Sequence, residues 1–263
     1  DCKELSEPYR PGKLREMSFA NIIGMVKEYR SLYGFYSDDL VGDYKRTIDR
    51  LQKEQRPAIE QQFSSFGNVL YSEFHDFLNH GHEWIAAYDE SLASVYGLDF
   101  TDLICGVHRL FQDPVVRERW RSRYSYISVD EMQDTGVLEY KVLEMLWEGN
   151  HVLLCGDYFQ TIYEWRGSDP FRLLKQFDAD FKPLKIIFYE NYRSNWTLFT
   201  MAFKTLQNMF PDLVGSIYTE LPRANSESKG KPVLIKGCKN SYLEGRYIYE
   251  SICALPKDAN IGV

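Results

Sequence analysis

The sequence has 263 residues, of which 44% are hydrophobic, and a formal net charge of −7. That length and apolar content suit one large domain or two to three small ones with packed cores, which excludes general disorder. The acidic balance argues against a general polyanion binder, because non-specific DNA affinity comes chiefly from neutralised phosphates, so any contact with nucleic acid must be local.

Hydropathy and the first residues bear on localisation. No apolar run approaches the ~20 residues needed to span a bilayer. The chain opens with Asp1-Cys2-Lys3-Glu4, where a signal segment would have a basic and then an apolar stretch. We therefore expect a soluble, cytoplasmic protein with no membrane partner.

Cysteines and histidines indicate no metal site. The five cysteines are scattered, without a C-x-x-C pair, which argues against a disulfide framework or a zinc site. We predict that Cys105, Cys155 and Cys253 are small core residues. His80-Gly81-His82 has no further ligand cluster nearby in the sequence, so we assign it no metal.

The first part of the chain is predicted to be helical. Apolar residues recur at helix spacing from Phe19 to Tyr33, and Ser37 to Phe63 has the pattern of one long, charge-laced helix. The stretch Asn79 to His82 is predicted to interrupt the helices, and a further helix is predicted from Glu83 to Tyr96. Together these elements predict an all-helical unit.

Two short helices follow, each with a capping residue. Asp99 precedes an apolar-periodic stretch, and Asp113-Pro114 has the composition of a helix start. After them the pattern changes to strands alternating with helices.

The alternating part predicts a parallel sheet with helices on its faces. The predicted elements, in chain order, are a strand Tyr126 to Val129, a helix Val137 to Trp147, a strand His151 to Cys155, a strand Leu184 to Tyr189, a helix Asn195 to Met209, an exposed loop Pro222 to Lys231, a strand Pro232 to Lys236 and a helix Tyr242 to Leu255.

Two carboxylates follow the first predicted strand directly. Asp130 and Glu131 would lie at the carboxyl edge of the sheet, where open α/β folds bind ligands. One acid can hold the water shell of Mg²⁺ while the other orients and deprotonates an attacking water. An isolated Asp-Glu pair would more often be a solvated strand end, but this pair does not stand alone.

The next strand ends in a second polar run. Asp157 follows it, and the amide of Gln160 could reach a terminal phosphate oxygen beside a metal. Tyr163, Trp165 and Arg166 add two rings and a guanidinium, which suits binding of single-stranded nucleic acid without sequence preference. Taken singly, either ring could instead be a core aromatic.

A third run comes just past the predicted strand at Leu184 to Tyr189. Arg193 precedes a predicted helix, so it can enter a cleft and stabilise charge on a transferred phosphoryl group. Tyr192 is available to stack on a base. Alone, such a Tyr-Arg pair would more often form a surface salt bridge.

In this order and spacing, the runs resemble the motifs of UvrD/Rep-type (PcrA-like) superfamily one DNA helicases. Residues 130–135 match the Walker B pattern D-E-x-Q-D-T, residues 156–167 match G-D-x-x-Q-x-I-Y-x-W-R-G, and residues 191–194 match N-Y-R-S. Residues 99–103 also resemble the family's D-F-D-D-L segment. The resemblance is specific over about residues 99–200.

The resemblance implies a role for each motif residue. The nucleotide would be ATP bound with Mg²⁺. The resemblance implies that Asp130 is a ligand of the metal, that Glu131 is the catalytic base, and that Gln160 contacts the γ-phosphate and the attacking water. It also implies that Arg193 is an arginine finger and that Tyr192 stacks on the adenine. For DNA, it implies stacking by Tyr163 and Trp165, and a link between the two sites through Arg166. Gln133, Asp134 and Asp157 would couple the sites.

The resemblance also implies a domain plan of the α/β class. Residues 1–98 would form a helical 1B-like insertion, residues 99–187 the remainder of the first RecA-like domain (1A), and residues 188–263 the start of the second (2A). Partners would be single-stranded or partly duplex DNA, with repair or recombination proteins as further candidates.

One departure is large, because the chain contains no Gly-x-x-x-x-Gly-Lys-[Ser/Thr] loop to cradle a triphosphate. We therefore predict a central fragment of an ATP-dependent helicase or translocase, moving 3′ to 5′, and we expect the isolated chain not to hydrolyse ATP. The main alternative is a non-hydrolysing module that binds single strands or a protein partner. A subunit of a helicase–nuclease is a third reading, although no nuclease signature is present.

Overall fold

The computed structural model describes residues 16–65, 68–161, 170–224 and 236–256. The chain divides into two compact units, residues 1–183 and 184–263. Within the described ranges, no helix is both long enough and apolar enough to cross a membrane.

The first unit begins with helices and one small hairpin. In chain order these are α1 (Glu16–Tyr33), α2 (Leu40–Glu54), α3 (Arg56–Gln62), β1 (Ser64–Ser65), β2 (Asn68–Val69) and α4 (Tyr71–Ser94). Their shared core includes the fully buried side chains of Ile22, Tyr44, Leu51, Phe63 and Phe74. The prediction that this region is helical is confirmed.

Two helix boundaries in this region were predicted wrongly. The helix expected over Ser37 to Phe63 is divided at Gln55, because Pro57 lies in the first turn of α3, where its missing N–H costs no helical hydrogen bond. The interruption expected at Asn79 to His82 does not occur, since α4 continues through it. A Cβ on Gly81 would lie 2.5 Å from the Phe77 ring, so this glycine serves packing inside the helix.

Two capped helices connect the helical part to the sheet. They are α5 (Phe100–Leu110) and α6 (Pro114–Arg121). Asp99 Oδ1 accepts the Asp102 N–H at 2.7 Å, and Asp102 Oδ2 accepts the Asp99 N–H at 3.1 Å. Asp113 Oδ1 accepts the Val115 N–H at 2.8 Å. Both predicted caps are confirmed.

A parallel β–α–β unit follows. Strand β3 (Tyr126–Val129) pairs in parallel with β4 (His151–Leu154), with Tyr126 opposite His151, and α7 (Val137–Trp147) connects them. This confirms an α/β chain with a parallel strand pair. The RecA-like and 1B-like assignments stay predictions.

The two faces of this strand pair differ. Ile127, Val129, Val152 and Leu154 pack on a core formed by Met132, Tyr140, Trp147, Leu173 and Phe177. The last two belong to α8 (Pro170–Phe181), which the sequence analysis missed. On the other face Tyr126 is 75% and Leu153 is 55% exposed.

The cysteine prediction is wrong for two of the three residues. Cys155 and Cys253 are exposed, and Cys105 is half-buried. Cys155 follows β4, which has one neighbouring strand within the described residues. Cys253 ends a helix with no buried residue in the part of the chain described. The apolar sequence around these cysteines did not reveal whether the strand or helix that contains them is covered by other parts of the protein.

In the described residues of the second unit there are one short strand pair and three helices. They are β5 (Glu190–Asn191), α9 (Trp196–Met209), α10 (Pro211–Ile217), β6 (Arg223–Ala224) and α11 (Ser241–Cys253), with β5 parallel to β6. The helices expected at Asn195 to Met209 and Tyr242 to Leu255 are confirmed, and Asn195 caps α9.

The strand predictions in this unit are less successful. Leu184 to Tyr189 is not a strand: it has no ladder partner in the described residues, and its apolar side chains are exposed. The paired residues are the next two, Glu190–Asn191. Within the loop expected at Pro222 to Lys231, Arg223 and Ala224 form β6, and residues 225–231 lie outside the described residues, as does most of the strand expected at Pro232 to Lys236.

A buried ammonium group joins three helices of the first unit. Lys27 Nζ on α1 lies 3.0 Å from Asp89 Oδ1 on α4, 2.8 Å from Asp99 Oδ2 and 2.5 Å from Asp102 Oδ1 at the start of α5. Burial lowers the pKa of Lys27, but the charge of Asp89 and the hydrogen bonds to the three carboxylates outweigh it and raise that pKa. Lys27 is therefore charged at neutral pH.

Replacement of Lys27 should destabilise the chain strongly. Lys27→Met leaves three carboxylates facing one another without their cation, so we expect the free energy of unfolding to fall by about 3 kcal/mol at neutral pH. Chemical denaturation measures it, with Lys45→Met on the exposed side of α2 as the control.

The loss of stability caused by Lys27→Met should be smaller at acidic pH. Burial raises the pKa of Asp99, but its bonds to Lys27 and to the Asp102 backbone lower it overall. The contribution of Asp99 to stability is thus present above the ordinary Asp pKa, and it is lost as the pH falls through the lowered pKa of Asp99 in the folded chain. Equal stability of Lys27→Met and Lys45→Met at neutral pH would refute this account.

A half-buried acidic group, Glu28, lies on the side of α1 that faces Glu139 of α7. Burial, followed by the charge of Glu139, raises the pKa of Glu28 to about 8. The folded chain therefore holds a proton on Glu28 that the unfolded chain releases at much lower pH. This group favours folding most in acid, and its contribution is lost as the pH rises from the ordinary Glu pKa to about 8.

Glu28→Gln should flatten the pH dependence of stability. We expect the variant to be more stable than the wild type at pH ~8 by about 2 kcal/mol, and to match it near pH ~5. Denaturation across this pH range tests it, with Glu90→Gln on α4 as the exposed control. Parallel curves for wild type and Glu28→Gln would exclude a raised pKa.

Candidate active site

The polar motifs of the first unit meet at the carboxyl edge of β3 and β4. Because these strands are parallel, the residues that follow them emerge at the same edge. Cys155 N–H donates to Val129 O at 2.8 Å, and Met132 N–H donates to Cys155 O at 2.9 Å. The segment after β3 is thereby held against the segment after β4.

Asp130 and Glu131 are both exposed at this edge. Asp130 Oδ1 accepts the Glu131 N–H at 2.9 Å. Glu131 has a left-handed backbone, with φ 51° and ψ 41°. Such a conformation costs about 1–2 kcal/mol in a residue with a Cβ. The Glu131 side chain therefore points in a different direction from that of a residue with extended backbone at the same position.

Gln133 connects the two segments. Its side chain is buried, with 2% exposed. Nε2 donates to Glu131 Oε2 at 2.5 Å, and Oε1 accepts the Asp157 N–H at 2.9 Å. The buried amide of Gln133 therefore bonds to the segment after β3 through its nitrogen and to the segment after β4 through its oxygen.

Gly156 is needed for this approach. A Cβ at this position would lie 2.6 Å from Gln133 Oε1 and 3.2 Å from the Met132 nitrogen. Sequence reasoning placed Gly156 in a motif but gave it no role. The available signal was a glycine directly after a strand, which often marks a close approach of backbone.

Asp157 organises the turn that follows β4. Its Oδ1 accepts the Phe159 N–H at 3.0 Å, which caps a 3₁₀ turn (Tyr158–Gln160). Its Oδ2 accepts Gln160 Nε2 at 2.8 Å. Gln160 is exposed, with its amide directed at Asp157.

Asp134 has a distinct environment. It is half-buried, and its Oδ1 is shielded from solvent with no hydrogen-bond partner in the described part of the chain. An unsatisfied buried carboxylate oxygen is costly. The structure thus brings together Asp130, Glu131, Gln133, Asp134, Asp157 and Gln160.

The remaining predicted residues fall into two groups. Tyr163, Trp165 and Arg166 lie outside the described residues. Tyr192 and Arg193 belong to the second unit and are exposed after β5. Tyr192 OH donates to Glu190 Oε2 at 2.7 Å.

A metal would find few protein ligands here. Among the described residues, no group of three or more His, Cys, Asp or Glu side chains is arranged to bind a metal. Mg²⁺ in nucleotide sites commonly uses only one or two carboxylates, together with substrate phosphates and water. The exposed pair Asp130 and Glu131 is compatible with that mode.

Comparison with known families matches most of the first unit. Residues 11–182 match the family described as UvrD/REP helicase N-terminal domain. The chain belongs to this family. The resemblance stated from the motifs is thereby confirmed, and the matched region includes the whole cluster at the carboxyl edge of β3 and β4.

Individual relatives are DNA helicases by name. The chain is 33% identical over 172 residues to a probable DNA helicase II homolog of Mycoplasma capricolum, covering 65% of this chain and 23% of that protein. It is 32% identical over 175 residues to DNA helicase II of Haemophilus influenzae, with the same coverage. It is 37% identical over 146 residues to the ATP-dependent DNA helicase Rep of Buchnera aphidicola, covering 54% of this chain and 22% of that protein. The chain spans less than a quarter of the length of each.

The backbone strain at Glu131 can be measured with two variants. Glu131→Gly and Glu131→Ala both remove the carboxylate, but only glycine adopts φ 51° without steric cost. We expect the Gly variant to be the more stable by roughly 0.5–1 kcal/mol, after allowing for the greater freedom of glycine in the unfolded chain.

Chemical denaturation measures the difference. The matched control is Glu118 inside helix α6, where alanine should be more stable than glycine by about 1 kcal/mol. If alanine is also the more stable residue at position 131, the left-handed conformation is not strained.

Proposed function

We propose that this chain is the central piece of an ATP-dependent DNA helicase or translocase that couples ATP hydrolysis to movement on single-stranded DNA, 3′ to 5′, and to duplex unwinding. The observation that carries the proposal is the cluster in which one buried amide, Gln133, joins Glu131 to the segment of Asp157 and Gln160. Family membership and the names of the relatives support it.

The exposed carboxylates fit a nucleotide bound with Mg²⁺. Asp130 would hold the ion, which when bound neutralises charge on phosphate oxygens. Glu131 would take the proton of the attacking water. Gln160 would contact the terminal phosphate, in exchange for its bond to Asp157. The unpartnered oxygen of Asp134 supports a further polar group at this site.

Further roles are proposed for the remaining motif residues. Arg193 would stabilise charge on the phosphoryl group, and Tyr192 would stack on adenine. Tyr163 and Trp165 would stack on bases of single-stranded or partly duplex DNA, and Arg166 would link DNA to the nucleotide. We further propose a cytoplasmic protein whose partners include repair or recombination proteins.

The phosphate loop would come from another part of the same polypeptide. The chain contains no such loop and covers less than a quarter of its relatives. The exposed apolar side chains on the outer face of β3 and β4 support coverage by additional chain. On this basis the isolated chain should not hydrolyse ATP.

A non-hydrolysing module is the second candidate, favoured by the missing loop in this sequence. A titration of the full-length gene product with fluorescent ATP, with and without Mg²⁺, separates the two functions. Saturable, Mg²⁺-dependent binding supports the helicase. A module that only binds single strands or a protein should show none.

Glu131→Gln should abolish catalysis and leave DNA binding intact. In the full-length gene product we expect DNA-stimulated ATP hydrolysis to fall about 100-fold or more, because the amide cannot accept the proton of the attacking water. Single-stranded DNA affinity should not change. Steady-state ATPase assays and a DNA titration measure both.

The control is Glu148→Gln, at a side chain that is 87% exposed beyond the end of α7. It should behave as wild type. Retained hydrolysis in Glu131→Gln would refute the proposed function.

A further inference from the structure

We propose that the end of α6 is a second contact site for single-stranded DNA. It is formed by Arg119, Trp120, Arg123 and Tyr124, which together make the α6 surface. This inference goes beyond the proposed function, which assigns DNA contacts to residues 163–166 and gives α6 no role. Only the choice of DNA as the strand rests on that function.

The α6 surface belongs to a basic stretch in an acidic chain. Residues 117–124 contain four arginines and one glutamate, whereas the whole chain has a formal net charge of −7. Affinity for nucleic acid comes chiefly from neutralised phosphates, so an acidic protein needs a local concentration of positive charge to bind a strand. This stretch provides one, with Trp120 and Tyr124 interleaved among the arginines.

Two of the four arginines are already used within the protein. Arg117 Nη1 donates to Phe111 O at 3.0 Å. Arg121 forms ion pairs with Glu118, one turn earlier in the same helix, and with Glu148 beyond the end of α7. These contacts hold α6 against the rest of the unit, so they account for Arg117 and Arg121 without any ligand.

The other two arginines have no such role. Arg119 and Arg123 are exposed, and neither has an acidic partner in the described part of the chain. The backbone keeps its helical turns between them, since the Ser122 N–H donates to Glu118 O and the Arg123 N–H donates to Trp120 O. Side chains four positions apart on such a path lie ~6 Å from each other on one face. Phosphates of one strand can therefore contact both guanidinium groups.

Two aromatic rings lie beside these charges. Trp120 is 40% and Tyr124 is 43% exposed, and they are four positions apart. The Arg123 guanidinium lies 5.4 Å from the centre of the Trp120 ring. Aromatic planes next to positive charge are the groups with which proteins bind single strands without sequence preference, by stacking bases and contacting phosphates.

Coverage by additional protein chain does not account for the α6 surface. The outer face of β3 and β4 exposes apolar side chains such as Leu153, which suit burial. The α6 surface instead includes two guanidinium groups, and burying a charge without a partner is costly. An acidic protein segment would compensate the charges but would offer no planar groups to the rings. A nucleic acid strand satisfies both.

The α6 surface is separate from the candidate nucleotide site. Tyr124 precedes β3 and Asp130 follows it, so the two sites lie at opposite ends of that strand. The 4 residues of β3 span about 13 Å. A strand at α6 therefore uses none of the residues proposed to bind ATP, and its binding should need no nucleotide.

Crosslinking tests where DNA lies. Oligo(dT) of about 40 nucleotides, longer than two typical single-strand sites, is prepared with 5-iodouracil and irradiated with the full-length gene product in the absence of ATP. Cleavage at glutamates releases the peptide of residues 119–131, between Glu118 and Glu131. We expect this peptide to contain crosslinked DNA.

A salt titration tests the charges. Arg119→Gln/Arg123→Gln in the full-length gene product should bind the same oligo(dT) roughly tenfold more weakly at ~0.1 M salt. The slope of log K against log salt should fall in magnitude by about 1.4, because each phosphate contact to a single strand contributes about 0.7. The control Arg50→Gln/Arg246→Gln removes equal charge from two exposed arginines that each pair with a glutamate four residues later. It should keep the wild-type affinity and slope.

Two variants of Tyr124 test stacking. Tyr124→Phe keeps the ring and should bind as wild type, whereas Tyr124→Leu keeps an apolar side chain without a plane and should weaken binding about tenfold. A residue that only packs against its neighbours would not separate phenylalanine from leucine in this way. Thermal unfolding of both variants confirms that they fold equally.

Several results would overturn the proposal. One is a peptide 119–131 without crosslinked DNA; another is an arginine variant that binds no more weakly than its control. If a polyglutamate peptide displaces oligo(dT) at equal charge and Tyr124→Leu has no effect, the surface fits an acidic protein segment instead. Tighter binding of oligo(U) than of oligo(dT), lost in the arginine variant, would identify RNA as the strand and refute DNA.

The proposed function fails separately. If Glu131→Gln still hydrolyses ATP while the peptide 119–131 contains crosslinked DNA, the proposed function is refuted and the α6 surface stands. If Glu131→Gln is inactive and the crosslink is absent, only the α6 surface is refuted.

Discussion

The buried ion cluster around Lys27 is the interaction on which the first unit depends. One ammonium group compensates three carboxylates that come from α4 and from the start of α5. Burial makes this arrangement costly to form and costlier to break, since loss of the cation would leave like charges together. Helix α5 packs in turn against α7, so the cluster joins the helical part to the helix that links the two strands of the candidate site.

In the β–α–β part of the unit, the parallel pairing of β3 and β4 determines which motif residues lie near one another. It places the residues after β3 and β4 at one edge, where Gln133 bridges them. Two local features accompany this bridge: a left-handed backbone at Glu131, and a close approach at Gly156, where an added Cβ would lie 2.6 Å from Gln133 Oε1. Strained or restricted backbone that the surrounding structure enforces is a frequent mark of functional sites.

Local elements were predicted well where short-range hydrogen bonds decide them. The caps at Asp99 and Asp113 and the helix Val137–Trp147 follow from neighbours within four residues. Predictions failed where long-range partners decide. Leu184 to Tyr189 was taken as a strand, but it has no paired neighbour in the described part of the chain. The break expected at Asn79 to His82 failed for a local reason, since Gly81 lies against the Phe77 ring four residues earlier in the same helix.

By itself, the sequence determined the family, the residue types of the motifs and the parallel β–α–β order, because these depend on identity and spacing along the chain. Tertiary structure decided which groups meet. Lys27 and Asp99 are 72 positions apart, and Gln133 and Asp157 are 24 apart. Contacts over such separations depend on how helices and strands pack, so no local pattern reveals that one buried amide holds the proposed base to the neighbouring segment.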